Sequence, residues 1–190
     1  MSTNKERRIC PVEMAGGLDN RIRRWFQNPR KILKPYVKDG MTALDLGCGP
    51  GFFSIDMAKM VGDSGRVIAA DLQPGMLQKV RNKIKGTVFE KRITLHKCEE
   101  NKIGVTEKAD FVLAFYMVHE VPNQVKFFEE IKSVLNPDGN VFIIEPKFHV
   151  SKKAFENMVS SLKKAGFEII GEPRILMSRA IILKNVDKGA

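Results

Sequence analysis

Apolar residues along this chain fall into short continuous runs that alternate with amphipathic stretches. Residues 43–46, 67–70, 93–96, 111–115 and 141–144 are mostly apolar runs, too short for helices and too continuous for strands with one wet face. They read as strands of a sheet covered on both sides. Between them the apolar positions recur at helical spacing. Phe53, Met57, Met60 and Val61 form one such face, opening near Gly51 and stopping near Gly62. Met76, Leu77, Val80 and Ile84 form a second, with Pro74 placed for its first turn. Val125, Phe128, Ile131, Val134 and Leu135 form a third, ended by Asn136, Pro137, Asp138 and Gly139. Ser151 is placed to cap a helix buried through Phe155, Met158, Val159 and Leu162 and stopped by Gly166. Residues 167–170 and 179–183 then read as a terminal hairpin, and 21–26 and 29–37 as helical pieces ahead of the first strand. Residues 100–110 are short and polar and read as a turn. Strands alternating with helices predict an α/β fold with a largely parallel, doubly wound sheet.

The turn after the first strand carries the candidate chemistry. Residues 43–53 read ALDLGCGPGFF, in which Gly47, Gly49 and Gly51 let the backbone turn sharply and approach a ligand. A dinucleotide fingerprint needs a third glycine six positions into the motif, where Phe52 stands instead, so the spacing excludes that reading. Asp45 argues the same way, because a carboxylate at the strand end repels a pyrophosphate and attracts a cation. A ligand with an ammonium group, a ribose and no phosphate fits, and S-adenosylmethionine has those parts. The second strand ends in Asp71, 24 residues after Gly47, near the roughly 20-residue separation expected of a ribose-binding acid.

With DLGCGPG at 45–51, the acid at Asp71 and ADFVLAFYMVHEV at 109–121, the chain from about Met41 onward resembles the class I S-adenosylmethionine-dependent methyltransferases of small-molecule type. The resemblance implies a Rossmann-like seven-stranded sheet, mostly parallel with a C-terminal antiparallel hairpin, in one domain. It implies S-adenosyl-L-methionine as cofactor, with the glycine turn at the methionine moiety, Asp71 and Leu72 at the ribose, and 98–100 flanking the adenine. That third segment departs from the family pattern, since CEE stands where an aspartate is usual; Glu99 is the best match and Glu100 the alternative. Phe52, Ala114 and Phe115 complete the cofactor set, and Cys48 packs beneath it as a small residue between glycines. In related enzymes the segment before the first strand forms a lid, which here is 1–40. Asn20 and Arg24 within it are candidate acceptor contacts, the simpler alternative being a helix that merely covers the sheet.

Composition and charge narrow the partners. The content is 43% hydrophobic, and no apolar run approaches the roughly 20 residues of a membrane span. The polar opening MSTNKERR is followed by no secretory apolar region, so a cytoplasmic location is expected. Cys10, Cys48 and Cys98 have no metal-ligand spacing, and no metal is expected. The net charge of +10 is uneven: residues 1–40 hold ten Lys or Arg against four acids and 150–190 hold eight against four, while 41–149 balance at fourteen each. Basic ends suit either a solvated surface or an acidic partner.

Residues just beyond strand ends are the remaining candidates. His119 is either the proton acceptor or a histidine satisfied at the junction, and Tyr116 either closes the pocket over the sulfonium or fills core. Glu145, Lys147 and His149 follow the fifth strand and are candidate acceptor contacts. The leading reading is methyl transfer to a small-molecule acceptor. The alternatives are RNA methylation, which the basic ends suggest but the absence of an NPPY-like segment after the fourth strand disfavours; arsenite methylation, for which paired cysteines are lacking; and a non-catalytic cofactor-binding module.

Overall fold

The computed structural model describes residues 27–186. Seven strands make one sheet: β1 (Thr42–Leu46), β2 (Arg66–Asp71), β3 (Ile93–Lys97), β4 (Ala109–Phe115), β5 (Leu135–Pro146), β6 (Phe167–Gly171) and β7 (Ser178–Asn185). Their spatial order is β3-β2-β1-β4-β5-β7-β6. The first five run parallel, and β7 lies antiparallel between β5 and β6. The doubly wound, mostly parallel sheet with an antiparallel C-terminal hairpin is the expected architecture.

Both faces of the sheet's centre are dry, which is why its central strands read as nearly unbroken apolar runs. Ala43, Val67, Phe111, Leu113, Phe142 and Ile144 face one way, toward α1 (Pro29–Leu33), α2 (Ser54–Met60) and α3 (Pro74–Ile84). Leu44, Ile68, Val112, Ala114, Val141 and Ile143 face the other, toward α4 (Gln124–Val134) and α5 (Lys152–Lys164). Alternate residues of each strand thus supply two separate cores. The strand order reverses between β1 and β4, so a crevice opens there at the C-terminal strand ends.

Three boundaries differ from the sequence reading, each for a local reason. α2 begins at Ser54 rather than near Gly51, because Gly49 and Gly51 hold φ of 52° and 84° and the chain is still turning there. α1 ends at Leu33, and the chain reaches Val37 through a turn closed by Tyr36 N–H and Val37 N–H on the Leu33 carbonyl. β5 begins at Leu135, six residues before the expected start at 141. Leu135 pairs with Ala109, and the Asn136 side chain donates to Asp110 Oδ1 at 2.6 Å, so the NPDG turn becomes an irregularity within the strand. The capped helix is as expected: Ser151 Oγ accepts from Ala154 N–H at 3.1 Å, and Gly166 ends it at φ 88°. The helical piece expected at 21–26, most of the 1–40 lid segment, and Cys10, Asn20 and Arg24 lie outside the described residues.

Candidate functional site

At the crevice lies a cavity of about 250 Å³. β1 brings Asp45 to its floor, where Asp45 Oδ2 accepts from Ser54 Oγ at 2.5 Å and ties the strand to the first turn of α2. The glycine turn is fastened to the neighbouring strand. Gly47 and Cys48 donate their N–H groups to the Ala70 carbonyl at 2.9 and 3.0 Å. Asp71 completes the clamp: its Oδ2 accepts from Gly49 N–H and its Oδ1 from Gln73 N–H, both at 2.8 Å. A side chain at Gly47 would place Cβ 3.0 Å from the Met117 side chain, whereas at Gly49 the space beyond the backbone is open. The first glycine is therefore needed for packing and the second exposes backbone.

The wall is acidic. Among the described residues Asp45, Asp71, Glu99, Glu100, Glu120 and Glu130 contribute to it, against Lys102 as the one Lys or Arg. Burial raises the Asp71 carboxyl above its ordinary value, although backbone donors from Gln73, Gly49 and Leu72 pull the other way. Burial also pushes the Cys98 thiol up to about 11 and the Cys48 thiol well above its usual value, with Asp71 adding to both. Both cysteines line the cavity as neutral thiols. Glu99 and Lys102 exchange backbone hydrogen bonds at 2.9 and 3.2 Å, a tight turn that holds the CEE segment against the cavity. Glu130, from α4, accepts from Ile103 N–H at 2.7 Å and secures the far side of that turn.

A buried carboxylate organises the segment after β4. Glu145, 1% exposed at the end of β5, accepts from Val118 N–H through Oε1 at 2.9 Å and meets His119 Nδ1 through Oε2 at 2.5 Å. The clamped residues belong to a single 3₁₀ turn, Val118–Glu120. Held this way, the turn sets Glu120 in the cavity wall. Burial would lower the His119 pKa, but the hydrogen bond and charge of Glu145, with the charge of Glu120, raise it overall. Burial raises the Glu120 carboxyl, opposed by His119 and reinforced by Glu145 and Asp71. Tyr116 adopts φ 58°, a left-handed conformation costly for a bulky residue. It is held there by ring stacking on Phe115 at 4.1 Å and by its hydroxyl, which meets Ser178 Oγ at 2.6 Å and accepts from Gln27 Nε2 at 2.8 Å.

Of the sequence candidates, Asp45, Gly47, Cys48, Gly49, Phe52, Asp71, Leu72, Glu99, Glu100, Phe115 and Tyr116 line one cavity. Gly51 lies behind it against Val80. Ala114 is buried on the opposite core face of the sheet. His119 and Glu145 stand behind the wall as a hydrogen-bonded pair, and Lys147 and His149 are exposed beyond it. Met117 and Glu120, within the 116–120 stretch that the strand-end rule singles out, also line the cavity, although neither was given a role. Sequence reasoning passed over Glu130, which reaches the site only through the packing of α4.

Residues 37–181 match the family model described as a methyltransferase domain. A demethylmenaquinone methyltransferase of Lactobacillus johnsonii is 39% identical over 122 residues, covering 64% of this chain and 49% of the relative. One of Bacillus subtilis is 28% identical over 123 residues, covering 65% and 52%. The chain thus spans about half the length of the curated relatives it matches. Among solved structures, a SAM-dependent methyltransferase from Aquifex aeolicus superposes with a TM-score of 0.82 at 29% identity, over 93% of this chain and 99% of that one. By family model and fold together, the chain belongs to the methyltransferase domain family, among the class I S-adenosylmethionine-dependent methyltransferases.

Proposed function

We propose that this protein transfers a methyl group from S-adenosylmethionine to a small-molecule acceptor, with demethylmenaquinone the first acceptor to test because several relatives carry that name. The observation that carries the reading is a glycine turn clamped by Asp71 beside a cavity to which the described residues contribute six carboxylates and one lysine. Such a wall favours a sulfonium and an ammonium and opposes a pyrophosphate. Asp45 and the turn from Gly47 to Gly51 would hold the methionine end, Asp71 and Leu72 the ribose, and the 98–102 turn with Glu99 the adenine. The cofactor, when bound, supplies a methyl group already activated by its positive sulfur, which leaves the protein to align the acceptor and remove its proton.

For the proton, Glu120 is better placed than His119. It lies in the cavity wall and its carboxyl is raised by burial, which makes it a stronger proton acceptor than an ordinary glutamate. His119 is held toward its protonated form by Glu145 and acts by positioning the turn. Tyr116 presents its ring to the cavity while its hydroxyl is tied to Ser178, so it closes the wall rather than exchanging protons. RNA methylation fits less well, since among the described residues the cavity wall offers Lys102 as its one Lys or Arg against phosphate.

Calorimetric titration of the purified protein with S-adenosylhomocysteine and NAD, followed by label transfer from S-adenosylmethionine to reduced demethylmenaquinone or to RNA, tests the reading. Binding of the first ligand alone and transfer to the quinone are expected. Comparable NAD binding, or transfer to RNA with a steep salt dependence, would refute it.

A further inference from the structure

Two turns at the site end of the sheet display large, exposed apolar side chains. The β-turn from Ile175 to Ser178, closed by Ser178 N–H on the Ile175 carbonyl at 3.1 Å, carries Leu176 and Met177 at its centre. They are 59% and 57% exposed, and Met177 sits at φ 59°. Turn centres of this kind favour glycine, asparagine or other small polar residues, and a left-handed backbone penalises methionine. Next to it, the turn after β5 closes through His149 and Val150 N–H on the Pro146 carbonyl and displays Lys147 and Phe148, the latter 71% exposed. Lys147 N–H donates to the Met177 carbonyl at 2.9 Å, which joins the turns into one tip.

The rim of this tip is basic. Residues 146–155 and 171–179 together hold five Lys or Arg, namely Lys147, Lys152, Lys153, Arg174 and Arg179, against one acid, Glu172. Arg179 is spent on the Val150 carbonyl at 2.7 Å, and Lys152 pairs with Glu156 at 3.7 Å. Lys147, Lys153 and Arg174 are exposed and form no ion pair among the described residues. An exposed apolar tip ringed by cations is complementary to a bilayer surface, where acyl chains receive the apolar groups and anionic headgroups the cations. The tip also adjoins the site: the Phe148 and Tyr116 rings meet edge-on at 6.3 Å, and Tyr116 lines the cavity.

We propose that Phe148, Leu176 and Met177, with Lys147, Lys153 and Arg174, form a peripheral docking surface for an anionic lipid bilayer. It sets the mouth of the cavity against the membrane, so that an acceptor dissolved in lipid reaches Tyr116 without crossing bulk water. No helix among the described residues is long and apolar enough to cross a membrane, so the contact is with one surface only.

The test is co-sedimentation of the full chain with vesicles of mixed phosphatidylglycerol and phosphatidylcholine and with vesicles of phosphatidylcholine alone. Binding to the anionic vesicles that weakens with added salt is expected. The variant Phe148→Ser/Leu176→Ser/Met177→Gly should partition about tenfold less or worse. Its affinity for S-adenosylhomocysteine should be unchanged, which also reports that it is folded. Met177→Gly alone should weaken partitioning while raising the melting temperature, since glycine relieves the left-handed backbone. Lys147→Ala/Arg174→Ala should lower binding and flatten its salt dependence. The proposal is overturned by a wild-type chain that binds neither vesicle, by equal binding to both, by a triple variant that binds as the wild type does, or by a lipid-free dimer that this variant dissociates, which would make the tip an interface between copies. Vesicle binding is read without methyl transfer, so its failure leaves the proposed activity untouched.

Discussion

Asp71 has a structural task beside the ribose contact proposed for it. Its oxygens accept from Gly49 and Gln73 N–H, so it shapes the glycine turn before any ligand arrives. Replacing it with alanine should weaken S-adenosylhomocysteine binding about 10- to 150-fold, the equivalent of one charge-assisted hydrogen bond of roughly 1.5 to 3 kcal/mol. Calorimetry measures this, and unchanged affinity would place the ribose elsewhere. Because burial raises its pKa, affinity should fall with pH sooner than for an ordinary aspartate. The fold itself favours the protonated form, so this titration does not weaken the domain, and the affinity loss should precede acid unfolding. Glu120→Gln, which removes the proton acceptor and keeps the shape, should lower kcat about 10²- to 10⁴-fold with cofactor binding intact. Full activity in that variant would return the proton to water or to His119.

At the scale of elements, the pair of Glu145 and His119 couples the end of β5 to the turn after β4. The raised His119 pKa makes its contribution to stability fully present below pH 6.5, the ordinary histidine value, and lost as pH rises through the folded-state value. Melting temperature should therefore decline across that window, and Glu145→Gln should flatten the decline. Glu145→Ala, which leaves Val118 N–H without its acceptor, should cost about 1 to 3 kcal/mol in chemical denaturation. The central strands were legible in sequence because both faces of the sheet are dry there, which turns each of them into an apolar run. The glycine turn and Asp71 were legible because spacing along the chain fixes which strand ends they occupy. The placement of Glu120 in the cavity wall and the length of β5 were not. The first depends on a clamp from a residue 25 positions later in the chain, and the second on a side-chain bond from Asn136 to Asp110 that lets the strand run through Pro137 and Gly139. Neither leaves a periodic trace.

For the molecule as a whole, the proposed division of labour runs between a core that would hold the cofactor and the segment that precedes Gln27. The cavity-lining groups from Asp45 to Glu130 lie within the described residues, with the glycine turn, the Asp71 clamp and the 98–102 turn bonded to one another or to neighbouring strands. Gln27, where the described residues begin, donates to the Tyr116 hydroxyl beside the cavity, which makes residues 1–26 the segment to test. Removing them should leave S-adenosylhomocysteine affinity within a few-fold while methyl transfer falls by orders of magnitude, since orientation of the acceptor supplies much of the rate. Stability is the confounder, and Asn20→Ala, Arg24→Ala and Gln27→Ala in the intact chain control for it. If transfer depends on the segment through acceptor contacts, Asn20→Ala or Arg24→Ala should raise KM or lower kcat with the melting temperature unmoved. A truncated chain that transfers methyl groups at the full rate would assign acceptor recognition to the wall itself, to Tyr116, Glu120 and the turn that carries Phe148.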